Sequence, residues 1–354
     1  MIRRKSKEIQ FRNVLVGGNS PITVQTMTKT DTRDAKTTLA EIKRLALAGC
    51  DIIRLAVPDI CAANAMNEIC SNSPIPVIAD IHFDHNLALK CIANGVHGLR
   101  LNPGNIRSEE KIAEVAAAAK DKGIPIRVGV NAGSLDPDLK AKYHGVTGQA
   151  LAESALKEAA LLEKHGFDKI KIAVKSFDLN TMSEAVKIVA RECEYPLHLG
   201  VTESGLPEEG IIRSSIGIGS LLMQGIGDTI RVSLTGDSAE EVKTGIQILK
   251  SLKLRAPGVT IVSCPTCGRT EIPLIDMAKA VKERLSAIKE DLHIAVMGCV
   301  VNGPGEAEQA DFGIAGGKNS GIIFRHGKVL RTLPANQLVD GLTEEVFKYL
   351  ESKK

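Results

Sequence analysis

PIRVGVN, residues 125–131, sets an arginine between branched apolar residues and ends in an asparagine. Side chains alternate between faces along an extended strand, so Arg127 points away from the side that Ile126 and Val128 occupy. The same arrangement recurs in IIRLAV around Arg54, GLRLNP around Arg100, KIKIAV around Lys171 and TIRVSL around Arg231, with His198 placed alike in PLHLGV. With PITVQTM (21–27) and PVIADIH (76–82), the short β-rich runs number eight. The aliphatic members must meet a covering layer of helices, which turns the cations inward.

Helical patterns separate these runs. Thr38 with Glu41 reads as a capping pair, Asp84 opens a helix that ends near Gly95, and Thr181 faces Glu184. Strand alternating with helix eight times predicts a closed parallel α/β architecture, the TIM (β/α)8 barrel, with an open doubly wound sheet as the alternative. Its working end is the carboxyl end of the strands. Ahead of the first strand, EIQFRNVLVGGNSPI reads as a hairpin turning at Gly17, Gly18 and Asn19 and plugging the barrel bottom. The longest connection, 132–148, reads either as a lid or as an exposed insertion.

Several inward cations in one enclosed space repel one another unless an anion is present, and the guanidinium fork suits phosphate oxygens. The inference is a multiply charged small ligand, most simply a diphosphate, against the alternative that each arginine pairs with a nearby acid. On the same faces and nearer the mouth lie Asn102, Asn131, Lys175 and Ser233. Asp80 and His82 place a carboxylate and an imidazole on one face, able to contact hydroxyls or transfer a proton, or else to serve in a salt-bridged core.

Composition narrows the partners. Lys plus Arg number 45 against 42 Asp plus Glu, and aromatic content is 3% with no Trp, which argues against nucleic-acid surfaces and base-stacking platforms. The basic start MIRRKSKEIQF precedes no apolar stretch of signal-peptide length, and no run reaches the roughly 20 apolar residues of a membrane span. The expected location is cytoplasmic, where the eight cysteines stay reduced. Cys50, Cys61, Cys70, Cys91 and Cys193 read as packing residues.

The pattern changes near Ala256 to Gly258, dividing the chain into 1–256 and a smaller α+β domain at 257–354. Here VTIVSC and HIAVMG read as strands, 272–288 as a helix, GIIFRHGKVLR as a hairpin, and a last helix starts near Pro334. SCPTCGRT (263–270) and CVVNGPGEA (299–307) follow strands, so neighbouring strands can present Cys264, Cys267 and Cys299 together. Three readings stand open: a thioredoxin-like redox pair, a structural zinc site, and an iron–sulfur cluster that accepts an oxygen or nitrogen donor in its fourth place. The Asn-Gly and Pro-Gly turns bring an acidic side chain back toward the thiols, with Glu306 and Glu308 equally available by spacing.

CPTCGRT together with GCVVNGPGEA closely resembles the signature of the 4-hydroxy-3-methylbut-2-enyl diphosphate synthase family, in its shorter, two-domain bacterial form. The resemblance covers essentially the whole chain, including VQTMTKTDTRD, IADIHF, RLNPGNI, RVGVNAGSL and LHLGVTESG. It implies that Cys264, Cys267, Cys299 and Glu306 ligate a [4Fe-4S] cluster in the C-terminal domain. It implies that the barrel binds a cyclic diphosphate through Arg54, Arg100, Arg127, Asn131, Lys175, Arg231 and Ser233, with Asp80, His82 and Asn102 as companions. The implied activity is reductive ring opening, with Glu306 as the exchangeable ligand and a proton carrier. Ferredoxin or flavodoxin is the implied electron donor, and a head-to-tail homodimer the implied assembly. A non-catalytic iron–sulfur carrier sensing a phosphometabolite, or a thiol-disulfide oxidoreductase, are the alternatives.

Overall fold

The computed structural model describes residues 2–81, 84–106, 108–255, 258–299 and 307–353. Contacts divide the chain into two compact units, Met1–Arg255 and Ala256–Lys354. Ala256 and Pro257, where the expected boundary falls, lie outside the described residues, as do His82 and Glu306.

The first unit opens on a hairpin of β1 (Ile9–Phe11) and β2 (Val14–Val16), with Ile9 opposite Val16 and Phe11 opposite Val14. Its turn is Arg12 and Asn13, Arg12 adopting φ 54°, and not the expected Gly17–Asn19. The glycines instead form the exit from β2, where the Ser20 N–H donates to the Gly17 carbonyl at 3.0 Å. The shorter turn keeps Ile9, Phe11 and Val16 together, and they pack with Ile52 and Ile78 from the barrel wall. The hairpin thus covers apolar residues at the amino ends of the strands, as expected of a plug.

The eight parallel strands are β3 (Thr23–Met27), β4 (Ile52–Ala56), β5 (Val77–Asp80), β6 (Gly98–Leu101), β7 (Ile126–Asn131), β8 (Ile170–Lys175), β9 (His198–Leu199) and β10 (Thr229–Ile230). They run in spatial order β8-β7-β6-β5-β4-β3-β10-β9. The bridge between Ile172 and Leu197 joins β8 to β9 and closes the ring. β9 and β10 are shorter than their apolar runs, yet the Arg231 N–H still donates to the Leu199 carbonyl at 2.9 Å, so Arg231 keeps its place in the wall. Ile53, Leu55, Leu99, Leu101, Ile126, Val128, Ile172 and Val232 join the helices in one continuous buried core. Alternation then sends their strand neighbours inward.

Aspartates set the helix starts. Asp34, Asp84, Asp178 and Asp237 accept the N–H groups of Thr37, Asn86, Thr181 and Ala239 at 3.0, 2.8, 2.7 and 3.0 Å. The expected pairs Thr38/Glu41 and Thr181/Glu184 therefore are not caps, because Ala35–Leu47 and Leu179–Glu192 begin a turn earlier. Glu41 instead accepts the Lys29 and Thr30 N–H groups, both at 3.0 Å, tying the end of β3 to its helix. The 132–148 connection is folded: it holds a short helix, Pro137–Lys142, pinned where Tyr143 Oη and Lys142 Nζ meet Glu153 at 2.6 and 2.7 Å.

The second unit is a five-stranded sheet ordered β11 (Val259–Ser263), β12 (Leu292–Met297), β13 (Phe312–Gly316), β14 (Ser320–Arg325), β15 (Lys328–Pro334). The first two pairings are parallel and the last two antiparallel. Helices Leu274–Arg284 and Leu338–Ser352 bury Val281, Leu342 and Val346 with Ile294, Ile314 and Ile323 from the sheet. β13 escapes sequence reading because FGIAG is glycine-rich; a Cβ on Gly313 would lie 2.3 Å from the Phe324 ring, so close packing excludes any larger residue.

Candidate active site

Inside the barrel the repeated cations converge. Arg54, Arg100, Arg127, Lys171, Lys175 and His198 are buried, and Arg231 is half-buried. Asp80 lies between two of them, its oxygens 3.3 Å from Arg100 Nη1 and 3.6 Å from Arg54 Nε. Met27 adds a thioether 3.1 Å from Arg54 Nη2. Glu241, 1% exposed, accepts from Thr26 Oγ1 at 2.5 Å and from the Leu234 N–H at 2.9 Å while lying 3.5 Å from Arg231 Nε.

These carboxylates do not neutralise the set. Arg127 Nε and Nη1, Lys171 Nζ and His198 Nε2 are buried with no hydrogen-bond partner among the described residues. Burial draws Arg54 down to about 10 despite Asp80, and burial with the Arg54 and Arg100 charges pushes Arg127 well below the ordinary arginine value. Lys175 is pushed down by burial and then by Arg231 and Arg127. A guanidinium keeps its proton at neutral pH, so the cost remains as mutual repulsion that a bound anion relieves.

Neutral donors frame the cations. Asn102 is buried, with its Oδ1 taking the Gly129 N–H at 3.3 Å, which aims its amide nitrogen elsewhere. Asn131 and Ser233 are half-buried. A Cβ on Gly200 would stand 2.8 Å from Lys175 Nζ and 2.7 Å from the Arg231 carbonyl, so only glycine leaves that ammonium its space. The structure therefore brings Arg54, Asp80, Arg100, Asn102, Arg127, Lys175 and Arg231 into one interior. Glu241 was missed by sequence reading; its spacing with Gly245 and Ile248 on the buried face of Ser238–Ser251 was the available signal.

In the second unit the three thiols stand at the ends of adjacent parallel strands. Ser263 pairs with Val296, so Cys264 is level with Met297 and Cys299 follows two residues on. Cys264 Sγ accepts the Gly298 N–H at 3.3 Å, and it packs against apolar Ala295, Met297, Ala315 and Phe324. Cys267 is exposed, and the Arg269 N–H and guanidinium lower its thiol, while Thr270 Oγ1 accepts the Cys267 N–H at 3.1 Å. None of the three is in a disulfide. CPTC is not at a helix start, since the helix begins only at Leu274, and this removes the geometry of a thioredoxin-like pair. Among the described residues no group of three His, Cys, Asp or Glu side chains stands ready around a metal position. Three free thiols, one held by a backbone N–H and one lowered toward thiolate, fit the donor chemistry of an iron–sulfur cluster.

The other cysteines differ. Cys50, Cys70 and Cys91 are buried, their thiols pushed up to about 12 by burial, as packing residues should be. Cys61 is exposed, contrary to its expected packing role, because it lies on the outer face near the start of helix Ile60–Asn72.

A parallel barrel lined with buried cations, followed by a mixed-sheet module with free thiols at its strand ends, defines a two-domain α/β protein of the TIM-barrel class. The family models "GcpE TIM-barrel domain" and "GcpE protein C-terminal domain" match residues 6–246 and 260–348. The chain belongs to the GcpE family. It is 55% identical over 346 residues, 98% of this chain and 99% of the other, to 4-hydroxy-3-methylbut-2-en-1-yl diphosphate synthase (flavodoxin) of Clostridium tetani. It is 52% identical over 352 residues, 99% of this chain and 100% of the other, to the protein of the same name from Geobacter sulfurreducens. Among solved structures, type I 3-dehydroquinate dehydratase from Clostridium difficile shares the fold of 70% of this chain and 98% of its own, with a TM-score of 0.53 at 15% identity. Among the described residues no helix is long and apolar enough to cross a membrane.

Proposed function

We infer that this chain catalyses the reductive ring opening and dehydroxylation of 2-C-methyl-D-erythritol 2,4-cyclodiphosphate to 4-hydroxy-3-methylbut-2-enyl diphosphate and water, a step of non-mevalonate isoprenoid synthesis. The observation that carries this reading is the barrel's surplus of buried cations, in a chain 55% identical to a synthase named for that product. Residues 1–256 form the substrate domain and 257–354 the cluster domain.

Arg54, Arg100, Arg127, Lys175 and Arg231 grip the two phosphate groups, where low dielectric makes each charge contact count. Asn102, Asn131 and Ser233 donate to the remaining oxygens. Asp80 holds the Arg54 and Arg100 forks in place and is assigned, with His82, to contact the substrate's hydroxyls. Counted on neutral species, two electrons and two protons open the carbon–oxygen bond to phosphate and release one hydroxyl as water. Cys264, Cys267, Cys299 and Glu306 would hold a [4Fe-4S] cluster, which when bound would supply one-electron transfer. Glu306 is also assigned to carry a proton to the leaving hydroxyl.

Flavodoxin, the donor named for the relatives, is the proposed reductant, with ferredoxin as the alternative. The two units adjoin in sequence. A short connection favours a head-to-tail homodimer in which each module serves its partner's barrel. Eight reduced thiols suit a cytoplasmic location.

Protein prepared without oxygen should contain iron and sulfide and absorb broadly in the visible, and Cys299→Ser should lose most of that iron. With a chemical reductant it should consume the cyclic diphosphate. Colourless or zinc-only protein would overturn the cluster assignment, and an intact cluster without turnover would leave an electron carrier instead.

A further inference from the structure

We propose that Lys171, paired in register with Arg127 and closed off by Phe11 of the hairpin plug, is a specificity-determining residue: neutral in the empty barrel, it takes up a proton when a multiply charged anion binds beside it. The inference rests on the anion-binding reading of the barrel.

Lys171 is fully buried, and its Nζ sits 4.3 Å from the centre of the Phe11 ring with no hydrogen-bond partner among the described residues. Phe11 belongs to the hairpin plug, so the amine is sealed from below. Arg54 faces it from β4, Arg127 from β7 and His198 from β9, while Lys175 lies two inward positions further along β8, beyond Ala173. The carboxylate on its side, Asp228, is already engaged by Arg3 at 3.1 Å, Ser6 Oγ at 2.9 Å and the Leu197 N–H at 2.8 Å. His198 Nδ1 meets Thr229 Oγ1 at 2.6 Å and its Nε2 has no partner, the arrangement of a neutral imidazole. An ammonium here meets like charge and no hydrogen-bond acceptor, only the Phe11 ring face; a neutral amine leaves its N–H groups and lone pair unpaired too, but has no charge to desolvate or repel.

Burial and then the Arg127 and Arg54 charges accordingly push Lys171 well below the ordinary lysine value, and His198 is pushed down in the same way. An anion held by Arg127 and Arg54 cancels the repulsion that keeps the proton away. Because binding and protonation are linked, the ligand that brings more negative charge gains more from Lys171. A monoanion gains little, so the floor of the barrel selects for charge as the arginines select for shape.

The test is calorimetric titration of the purified protein with sulfate, a dianion across neutral and alkaline pH, and with inorganic pyrophosphate, in buffers of different ionisation heat. Wild-type protein should take up protons on binding. Sulfate affinity should fall with rising pH by up to about tenfold per pH unit for each proton taken up. Lys171→Met should reduce the uptake by close to one proton and flatten that slope. Unchanged uptake in Lys171→Met, or no buffer dependence in wild type, overturns the proposal while leaving the anion site standing. Failure of both anions to bind wild type removes the anion site and this inference together. If Lys171→Met does not fold, wild-type and Lys175→Met proteins with carbon-13 in their lysine ε-methylenes decide the matter: a neutral-amine resonance shared by both and lost from wild type on adding sulfate supports the proposal, and its absence from the free Lys175→Met protein overturns it.

Discussion

Arg127 has two buried nitrogens without partners among the described residues, so its removal should act oppositely on the empty and the loaded protein. Arg127→Met should raise the thermal midpoint of the ligand-free protein, by about 2–4 °C for each kcal/mol of repulsion relieved. The same substitution should weaken pyrophosphate binding by about 10–100-fold, the worth of a charge-assisted hydrogen bond in a buried site. Thermal melts and calorimetry on one preparation check both signs; a variant that is less stable when empty would contradict the charge surplus. This residue was legible in the sequence because branched neighbours on both sides force its direction. Glu241 was not, since a glutamate in a first helical turn is ordinary, and only folding shows that it accepts from Thr26 and Leu234 while facing Arg231. His82 and Glu306, outside the described residues, stand on the sequence and the motif resemblance alone.

At the scale of elements, the aspartate caps explain where helices begin and offer a pH test. Asp237 accepts the Ala239 N–H and both Arg44 nitrogens at 2.8 and 2.9 Å, and Arg44 above all lowers its carboxyl to about 2. A carboxylate lowered on folding stabilises above its unfolded value of about 3.9, and that contribution fades as pH falls through the folded value. Asp237→Ala should therefore cost about 1 kcal/mol near neutral pH, nearly all from the cap because the exposed ion pair is screened. Urea melts should show the gap between variant and wild type closing between about pH 4 and about pH 2. A gap that stays constant would mean the effect is not the carboxylate's charge. Element identity was legible from periodicity, whereas the hairpin turn was misplaced: the glycines drew the eye, and Arg12 in a left-handed conformation carries no sequence signature. β13 was missed because its glycines answer to Phe324 and Ile272, residues distant in the chain.

At the scale of the molecule, the barrel and the thiol module supply complementary halves of one proposed chemistry. Mixing equal amounts of Arg127→Met and Cys264→Ser protein, after dissociation and reassociation, should restore up to about a quarter of the activity if each module serves its partner's barrel. Demonstrably mixed dimers that stay inactive would leave each chain acting within itself. The amino-acid sequence by itself determined the alternation of strand and helix, the inward direction of the cations and the three thiols with their family, because these follow from side-chain periodicity and local motifs. Tertiary structure alone decided which polar groups remain unpaired. Asp80 and Glu241 meet some arginines, while Arg127 and Lys171 are left without hydrogen-bond partners among the described residues, since pairing depends on distances across a closed barrel that no local pattern encodes.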